Sequence, residues 1–98
     1  MIRVQKRDGE IAVFSLDKIK NAIKKAFIAT NMVYDDEILN LLALRVSADF
    51  QAKVKENLVN VEDIQDSVEH VLEQCGYTKV AKAYILYRKH RKKIRNMN

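Results

Sequence analysis

The sequence contains no proline, no tryptophan, two glycines and one cysteine in 98 residues. Cys75 has no second cysteine with which to form a disulfide, which favours a reducing, cytosolic setting. With His70 and His90 it is a poor basis for a four-ligand zinc site. Two glycines are also too few for the glycine-rich loops that hold phosphates in P-loop and dinucleotide-binding proteins. Any nucleotide site must therefore be built from a hairpin and from helix ends.

Long hydrophobic runs are missing as well. The longest, Ala83 to Tyr87, has five residues, far short of the roughly 20 that a membrane span needs. Met1 begins a polar, strand-like segment, so neither a membrane span nor a secretory signal is expected. Apolar residues make up 48% of the chain and charged residues 32%, a balance typical of a globular protein, and the length suits one domain over residues 1–98.

Negative charge is scarce at both ends of the chain. Residues 1–34 carry seven Lys or Arg against three Asp or Glu, and residues 76–98 carry eight against none. Residues 35–75 carry three against ten. If the ends meet in the fold, they create a positive field suited to a polyanion such as a nucleotide or a nucleic acid. Basic ends that only increase solubility are the alternative, and charge alone does not separate the two.

Residues 2–14 predict a β-hairpin. Two short runs with β-branched residues flank Asp8-Gly9, a dipeptide that fits the two positive-φ positions of a type I′ turn. A two-residue loop would place Val4 opposite Val13 and Arg7 opposite Glu10, the latter as a cross-strand ion pair. The residues expected on the core-side face are Ile2, Val4, Lys6, Ile11 and Val13.

Helical periodicity and capping residues predict four helices after the hairpin. The first follows Ser15 and ends near Thr30. The second begins at the acidic residues 35–37, continues to Phe50 or as far as Val54, and would be the longest buried helix. The core-facing residues expected on these two helices are Ile19, Ile23, Ala26, Phe27, Ile38, Leu41, Leu42, Val46 and Phe50.

The third helix follows Asn60 and ends at Gly76, which suits a left-handed cap. The fourth follows Thr78 and runs into the basic segment 88–95. The predicted fold class is thus α+β and mostly helical: an N-terminal hairpin, which a third short strand can join, packed on about four helices. The apolar stripe of the third helix is expected to consist of Ile64, Val68, Val71, Leu72 and Cys75.

Two lysines are candidates for binding a phosphate. Lys6 ends a strand on the core-side face, and Lys18 lies in the first helical turn, where free backbone N–H groups and the helix dipole favour an anion. The alternative is that Lys6 covers Ile11 with its aliphatic stem and that Lys18 is an ordinary exposed helix residue.

The last helix carries a basic stripe at spacings of three and four, interleaved with Tyr84 and Tyr87. It is either a solvated C-terminus or a binding face for phosphates, acidic surfaces or nucleic acid. The acidic run of the third helix is more typical of helix-dipole complementation than of metal binding, and no grouping in the chain indicates catalysis. The stripe consists of Arg88, Arg91, Lys92 and Arg95, and the acidic run of Glu62, Asp63, Asp66 and Glu69.

Three segments carry a resemblance to a known family: Val4–Gly9 (Val-Gln-Lys-Arg-Asp-Gly), Val61–Asp66 (Val-Glu-Asp-Ile-Gln-Asp) and Val80–Arg88 (Val-Ala-Lys-Ala-Tyr-Ile-Leu-Tyr-Arg). With Phe14, Lys18-Ile19, Gly76-Tyr77 and Arg91, they resemble the ATP-cone domain in order and spacing over nearly the whole chain. That family is the N-terminal regulatory module of ribonucleotide reductases and also occurs in a bacterial repressor of reductase genes.

The resemblance implies a nucleotide between the hairpin and the helices. Lys6 and Lys18 would then hold the phosphates, with Arg88 and Arg91 approaching from the last helix. The base would be surrounded by apolar residues of the hairpin and first helix, and the start of the third helix would line the pocket. The nucleotide-binding residues implied in this way are Val4, Lys6, Arg7, Phe14, Lys18, Ile19, Val61, Ile64, Gln65, Arg88 and Arg91.

The resemblance also implies a function. The domain would bind ATP or dATP, with Mg²⁺, and regulate a ribonucleotide reductase: ATP leaves the enzyme active, and dATP switches it off through altered assembly, which can include a homo-oligomer. Its partner would be the catalytic domain, and this chain alone would not be an enzyme. The repressor carries a cysteine-rich zinc ribbon that is not seen here, and Lys79–Arg88 looks most like the anaerobic, glycyl-radical class. A basic helical module for nucleic acid or transcriptional regulation is the alternative.

Overall fold

Three short strands and four α-helices make up the fold of this computed structural model, which describes residues 1–96, with side chains described as far as Arg91. A small sheet lies against the helices, which confirms the predicted α+β class. Among the described residues, no helix combines the length and the apolar character that crossing a membrane requires. The elements are β1 (Arg3–Gln5), β2 (Ile11–Val13), α1 (Leu16–Ala29), α2 (Asp36–Asp49), a 3₁₀ turn (Phe50–Lys53), β3 (Leu58–Asn60), α3 (Val61–Gln74) and α4 (Thr78–Asn96).

The hairpin has a register that differs by one residue from the prediction. Val4 pairs with Ala12, and the Lys6 N–H donates to the Glu10 carbonyl at 2.7 Å, so the loop has three residues. Gly9 takes the left-handed position of this loop, with φ of 90°, as in a turn followed by a bulge. Since a one-residue shift exchanges the two faces, Val13 is 58% exposed instead of buried. The predicted placement of Ile11 and Val13 on the core side is therefore wrong.

The sheet is completed by β3, which pairs in parallel with β1 and makes β1 the central strand. The third strand confirms the prediction, whereas its parallel direction was not predicted. A tight turn leads into β3: Lys55 and Leu58 exchange two backbone hydrogen bonds of 2.9 Å. The two residues between them, Glu56 and Asn57, have φ of 53° and 61°, which is the type I′ geometry.

The helix boundaries follow the capping signals. Asp35 caps α2 through a 2.8 Å hydrogen bond from the Ile38 N–H, whereas the Ser15 side chain makes no capping bond to α1. Gly76 adopts φ of 84°, and the Tyr77 N–H donates to the Leu72 carbonyl at 2.9 Å, which closes α3 with a Schellman motif. The second helix is expected to be the longest buried one, but α2 has 14 residues, the same number as α1 and α3, and α4 has 19.

One hydrophobic core lies between the four helices and the sheet. All four residues predicted to face inward on α1 are buried. On α2 the prediction is partly wrong, since Leu41 is 55% exposed and Leu39 takes its place in the core. Cys75 is half-buried beside the core rather than inside it. The largest fully buried side chains are Phe27, Phe50, Ile23, Leu39, Leu42, Leu72, Val46, Val68 and Val80.

Candidate functional site

A cavity of about 450 Å³ lies between the hairpin, α1, the first turn of α3 and the middle of α4. Its volume is in the range of small-molecule sites, roughly 300–1,000 Å³. Every residue that the sequence singled out as nucleotide-binding lines it, except Arg88. The remaining residues of its wall are Ala12, Val13, Ser15, Asn21, Ala22, Lys25, Tyr84 and Tyr87.

The charged side chains of this wall are all cationic among the described residues. They come from three elements: Lys6 and Arg7 from the hairpin, Lys18 and Lys25 from α1, and Arg91 from α4. The basic ends of the chain thus meet around one cavity, as the charge distribution would allow. Five cations around a concave site attract a polyanion, and low-dielectric walls strengthen that field.

The N-terminus of α1 adds backbone donors to this charge. Ser15 is the N-cap residue and lines the cavity, and Lys18 follows in the first turn. The first N–H groups of a helix have no partner within it, and the helix dipole places partial positive charge there. Together with Lys18 they form an arrangement that suits phosphate oxygens.

The wall also contains apolar side chains. Val4 and Phe14 of the hairpin, Ile19 of α1 and Ile64 of α3 line the same cavity as the cations. The Phe14 ring is fixed from behind by an edge-to-face contact with Phe50, with centroids 5.4 Å apart. A ligand with an anionic part and a flat apolar part therefore matches the composition of this wall.

Arg7 is bound to α3 rather than to its own hairpin. Its Nε donates to Glu62 Oε1 at 2.5 Å, and its Nη2 donates to Gln65 Oε1 at 2.7 Å. The expected cross-strand pair of Arg7 with Glu10 is therefore wrong. The three-residue loop places Lys6 opposite Glu10 instead, and their charged atoms are 3.9 Å apart.

Arg88 binds the acidic face of α3. Its guanidinium donates to Glu62 Oε2 at 2.5 Å, to Asp66 Oδ1 at 2.7 Å and to Glu69 Oε1 at 3.0 Å. A further bond of 3.3 Å reaches the Glu62 carbonyl. The side chain is only 16% exposed, and these contacts turn it from the cavity toward α3. The acidic run of α3 thus holds the last helix in place.

The two arginines change how Glu62 titrates. The hydrogen bond from Arg88 is the largest influence and lowers the pKa of Glu62 below its ordinary value; desolvation opposes it, and Arg7 adds to the lowering. For Arg88, desolvation lowers the pKa, but the hydrogen bonds to Glu62, Asp66 and Glu69 outweigh it, so the pKa is raised. Because the pKa of Glu62 is lowered and that of Arg88 is raised, both groups are charged at neutral pH.

Several wall residues were not predicted as site residues, although their spacing carried the signal. Lys25 lies two turns after Lys18 on the same face of α1, with Asn21 and Ala22 between them. Tyr84 and Tyr87 precede Arg91 on one face of α4, and their rings are 6.3 Å apart. Burial raises the pKa of the Tyr84 hydroxyl, which therefore stays protonated.

The predicted basic stripe and the candidate metal ligands include further residues. The side chains of Lys92 and Arg95 lie outside the described part of the chain. Within the described residues, no group of three His, Cys, Asp or Glu is arranged to hold a metal ion. Cys75 Sγ lies 3.7 Å from Arg45 Nη1. Cys75 is the C-cap of α3, at the opposite end of that helix from Glu62.

Known proteins match this chain over nearly its whole length. Residues 2–93 match the ATP cone domain. A ribonucleoside-diphosphate reductase subunit alpha of Chlamydia pneumoniae is 41% identical over 97% of the chain, and an anaerobic ribonucleoside-triphosphate reductase of Escherichia coli is 38% identical over 87%. A vitamin B12-dependent ribonucleoside-diphosphate reductase of Thermoplasma acidophilum is 41% identical over 94%.

The chain covers only 10%, 11% and 12% of the lengths of the Chlamydia, Escherichia and Thermoplasma relatives. The shared part is therefore the one domain described here and not the rest of those proteins. The relatives also include more than one kind of reductase, so the match identifies the domain more closely than the enzyme class. On the family match over residues 2–93 and the cationic cavity, this chain belongs to the ATP cone domain family, whose members bind nucleotide effectors.

Proposed function

We propose that this chain is a regulatory domain that binds ATP or dATP and controls a ribonucleotide reductase. The observation that carries the proposal is the cavity, whose wall combines five cations and a helix N-terminus with apolar side chains. An adenine nucleotide has the same two parts. The relatives are ribonucleotide reductases, which supports the assignment of the regulated enzyme.

In the proposed complex, Lys6 and Lys18 hold the phosphates, and Lys25 and Arg91 extend the cationic wall along the phosphate chain. The base lies against Val4, Phe14, Ile19 and Ile64. Arg88 acts on the site through Glu62, which it shares with Arg7. Charge-assisted hydrogen bonds of this kind are the strong ones in proteins and fix the orientation of the triphosphate.

Mg²⁺ would enter with the nucleotide. In sites for nucleoside triphosphates, Mg²⁺ is held largely by phosphate oxygens and water, with few protein ligands. The wall fits this arrangement, because its described residues include no carboxylate and no histidine. The metal would then neutralise part of the phosphate charge that the five cations do not reach.

The regulated partner is the remainder of a reductase polypeptide or complex. In this proposal ATP leaves the enzyme active, and dATP changes how the domain assembles, with its own copies or with the catalytic domain. The resemblance of Lys79–Arg88 to the anaerobic class stays a prediction, since diphosphate, B12-dependent and anaerobic reductases all match the chain. A cytosolic location also stays a prediction.

The domain does not hydrolyse its ligand in this proposal. Hydrolysis requires a group that orients or activates water beside the terminal phosphate. The described wall includes no carboxylate and no histidine, the side chains that most often serve as general bases. ATP should be recovered unchanged after incubation with the purified chain.

The test is calorimetric titration of the chain with ATP, dATP, GTP and a short DNA duplex at two salt concentrations. We expect ATP and dATP to bind saturably and in competition with each other, and GTP to bind more weakly because it presents a different base edge. Salt should weaken only the phosphate part of the binding, since apolar contacts are not screened.

A nucleic-acid module would give the opposite pattern. Such a module binds duplex with a steep salt dependence, because phosphate contacts release counterions. Binding of the duplex without any heat from ATP would therefore contradict the proposal. Steady hydrolysis of ATP would contradict the regulatory role, even if the nucleotide bound in the cavity.

A further inference from the structure

Arg7 differs from the other cations of the cavity wall in its partners. Two side chains of α3 hold it at 2.5 and 2.7 Å, and its own side chain is only 17% exposed. The closest comparable contact of another wall cation in the described chain is that of Lys6 with Glu10, at 3.9 Å. Arg7 therefore starts from a bound state when an anion approaches.

Arg7 borders two cavities. It lines the main cavity and also a smaller one of about 260 Å³, as Lys6 and Val61 do. Glu62 borders only the smaller cavity. The Nε and Nη2 groups of Arg7 donate to Glu62 and Gln65. The Nε–Nη2 edge of the guanidinium, which can bind an anion through two parallel hydrogen bonds, is therefore already occupied.

We propose that Glu62 competes with ligand phosphates for Arg7 and thereby sets the affinity and the charge requirement of the site. This inference rests on the proposed function. A weakly charged ligand would leave Arg7 on α3, whereas a polyphosphate attracts it more strongly than one carboxylate does. Glu62 thus acts against binding, although it lies outside the wall of the main cavity.

Arg88 lowers the free-energy cost of moving Arg7 from Glu62 to the phosphates. Removing one partner from a buried ion pair is costly when it leaves the other charge without compensation. Glu62 is not left in that condition, because its second oxygen accepts a 2.5 Å bond from Arg88. When Arg7 turns to the phosphates, Glu62 keeps one arginine, and Arg88 keeps Asp66 and Glu69 as well.

The test is a double-mutant cycle measured by calorimetric titration with ATP. Glu62→Gln should tighten ATP binding about threefold to fivefold, the range expected for one partly exposed ion pair. In the Arg7→Ala background, the same substitution should change the ATP affinity by less than about 1.5-fold, because the arginine for which Glu62 and the phosphates compete is then absent.

Asp66→Asn is the matched control. It removes the same charge from the same helix and also takes a partner from Arg88, but Asp66 does not contact Arg7. It should change ATP affinity less than about twofold, as expected for an exposed charge at a distance. Weaker ATP binding by Glu62→Gln would overturn the proposal, since Glu62 would then position Arg7 for the ligand. Tightening that persists without Arg7 would overturn it too.

A second measurement needs no substitution. The Arg7 Nε–H group should give an NMR signal protected from solvent exchange, and saturating ATP or inorganic tripolyphosphate should shift it as Glu62 is replaced. An unchanged signal at saturation would overturn the competition. If tripolyphosphate shifts the signal while ATP fails to bind, the adenine-nucleotide function falls and the competition stands.

Discussion

Lys18 combines a full charge with the N-terminus of α1, so its removal should be felt directly by a bound triphosphate. Charge-assisted contacts contribute about 1.5–3 kcal/mol each, so Lys18→Ala should weaken ATP binding about tenfold or more. Lys6→Ala should have a similar effect, and Arg7→Ala a smaller one. Calorimetry with Lys24→Ala as control checks this, because Lys24 is exposed on α1 outside the cavity wall. Wild-type affinity in both Lys6 and Lys18 variants would locate the phosphates elsewhere.

Glu56 adopts φ of 53°, a left-handed conformation that side chains other than those of Asn and Asp rarely take. Glycine has no such penalty, so Glu56→Gly should raise the free energy of unfolding by about 0.5–1 kcal/mol in urea denaturation. The exposed Glu73 of α3 gives the contrasting control, since Glu73→Gly places glycine inside a helix and should lower it by about 1 kcal/mol. If Glu56→Gly and Glu73→Gly both lowered the free energy of unfolding, the backbone at Glu56 would not be strained.

The hairpin shows the limit of residue patterns. Asp8-Gly9 indicates a turn, and Gly9 does adopt positive φ, but glycine fits a two-residue loop and a three-residue loop equally well. The choice depends on which face packs on the helices. The observed register turns Phe14 inward against Phe50, while Val13 is exposed. Burial of an aromatic ring outweighs burial of a valine, and only the complete fold provides the partner ring.

At the scale of elements, Arg88 joins α4 to α3 through three carboxylates. Arg88→Ala would leave Glu62, Asp66 and Glu69 close together without that cation. We expect it to lower the free energy of unfolding by about 1–2 kcal/mol at pH 7, a value reduced for the exposure of the carboxylates. Urea denaturation measures this, with the exposed Lys89→Ala on the same helix as control. An unchanged stability would show that the helices pack without the ion pairs.

The same cluster makes stability depend on pH. The folded pKa of Glu62 lies below its ordinary value of 4.5, so the unfolded chain binds its proton more readily than the folded chain. Its contribution is therefore fully present above about pH 5 and is lost as the pH falls through the lowered pKa. Urea denaturation between about pH 3 and pH 6 should show this loss, and a smaller one in Glu62→Gln. If the free energy of unfolding changed with pH equally in the wild type and in Glu62→Gln, Glu62 would not be the cause of the pH dependence.

The helices were more predictable than the hairpin, with one instructive exception. Caps and periodicity predicted the buried face of α1 and the end of α3 at Gly76. In α2, apolar residues occupy nearly every side, so the pattern does not select a face, and Leu41 was chosen where Leu39 is buried. Neighbouring helices decide the rotation of such an element, and sequence spacing cannot supply them.

For the whole molecule, ATP should act as a stabiliser, because in the proposed complex it binds only the folded cavity. At a free concentration of about 100 times its dissociation constant, the gain is about 2.7 kcal/mol, or roughly 10–20 °C in Tm for a domain of this size. Differential scanning calorimetry of the wild type and of Lys18→Ala at one ATP concentration checks it, and the variant should gain less. Equal gains in both chains would indicate binding outside the described cavity.

The lining residues of the candidate site could be predicted from the family motifs, but contacts between distant parts of the chain could not. The motifs indicated most residues of the cavity wall, since local spacing on strands and helices carries that information. The partner of Arg7 could not be found in this way. The register of a two-residue loop suggests Glu10, whereas the structure brings Glu62 from 55 positions further along the chain.

The central place of β1 in the sheet governs when this domain can become functional during synthesis. β1 is made before both α1 and α2, but its parallel partner β3 comes only at residues 58–60, after these two helices. Pairings between distant segments form late, because the intervening chain must first be closed into a loop. Arg91 of α4, which also lines the cavity, is made later still. A nascent chain on the ribosome would therefore be unable to complete the cavity until nearly all of the domain had emerged.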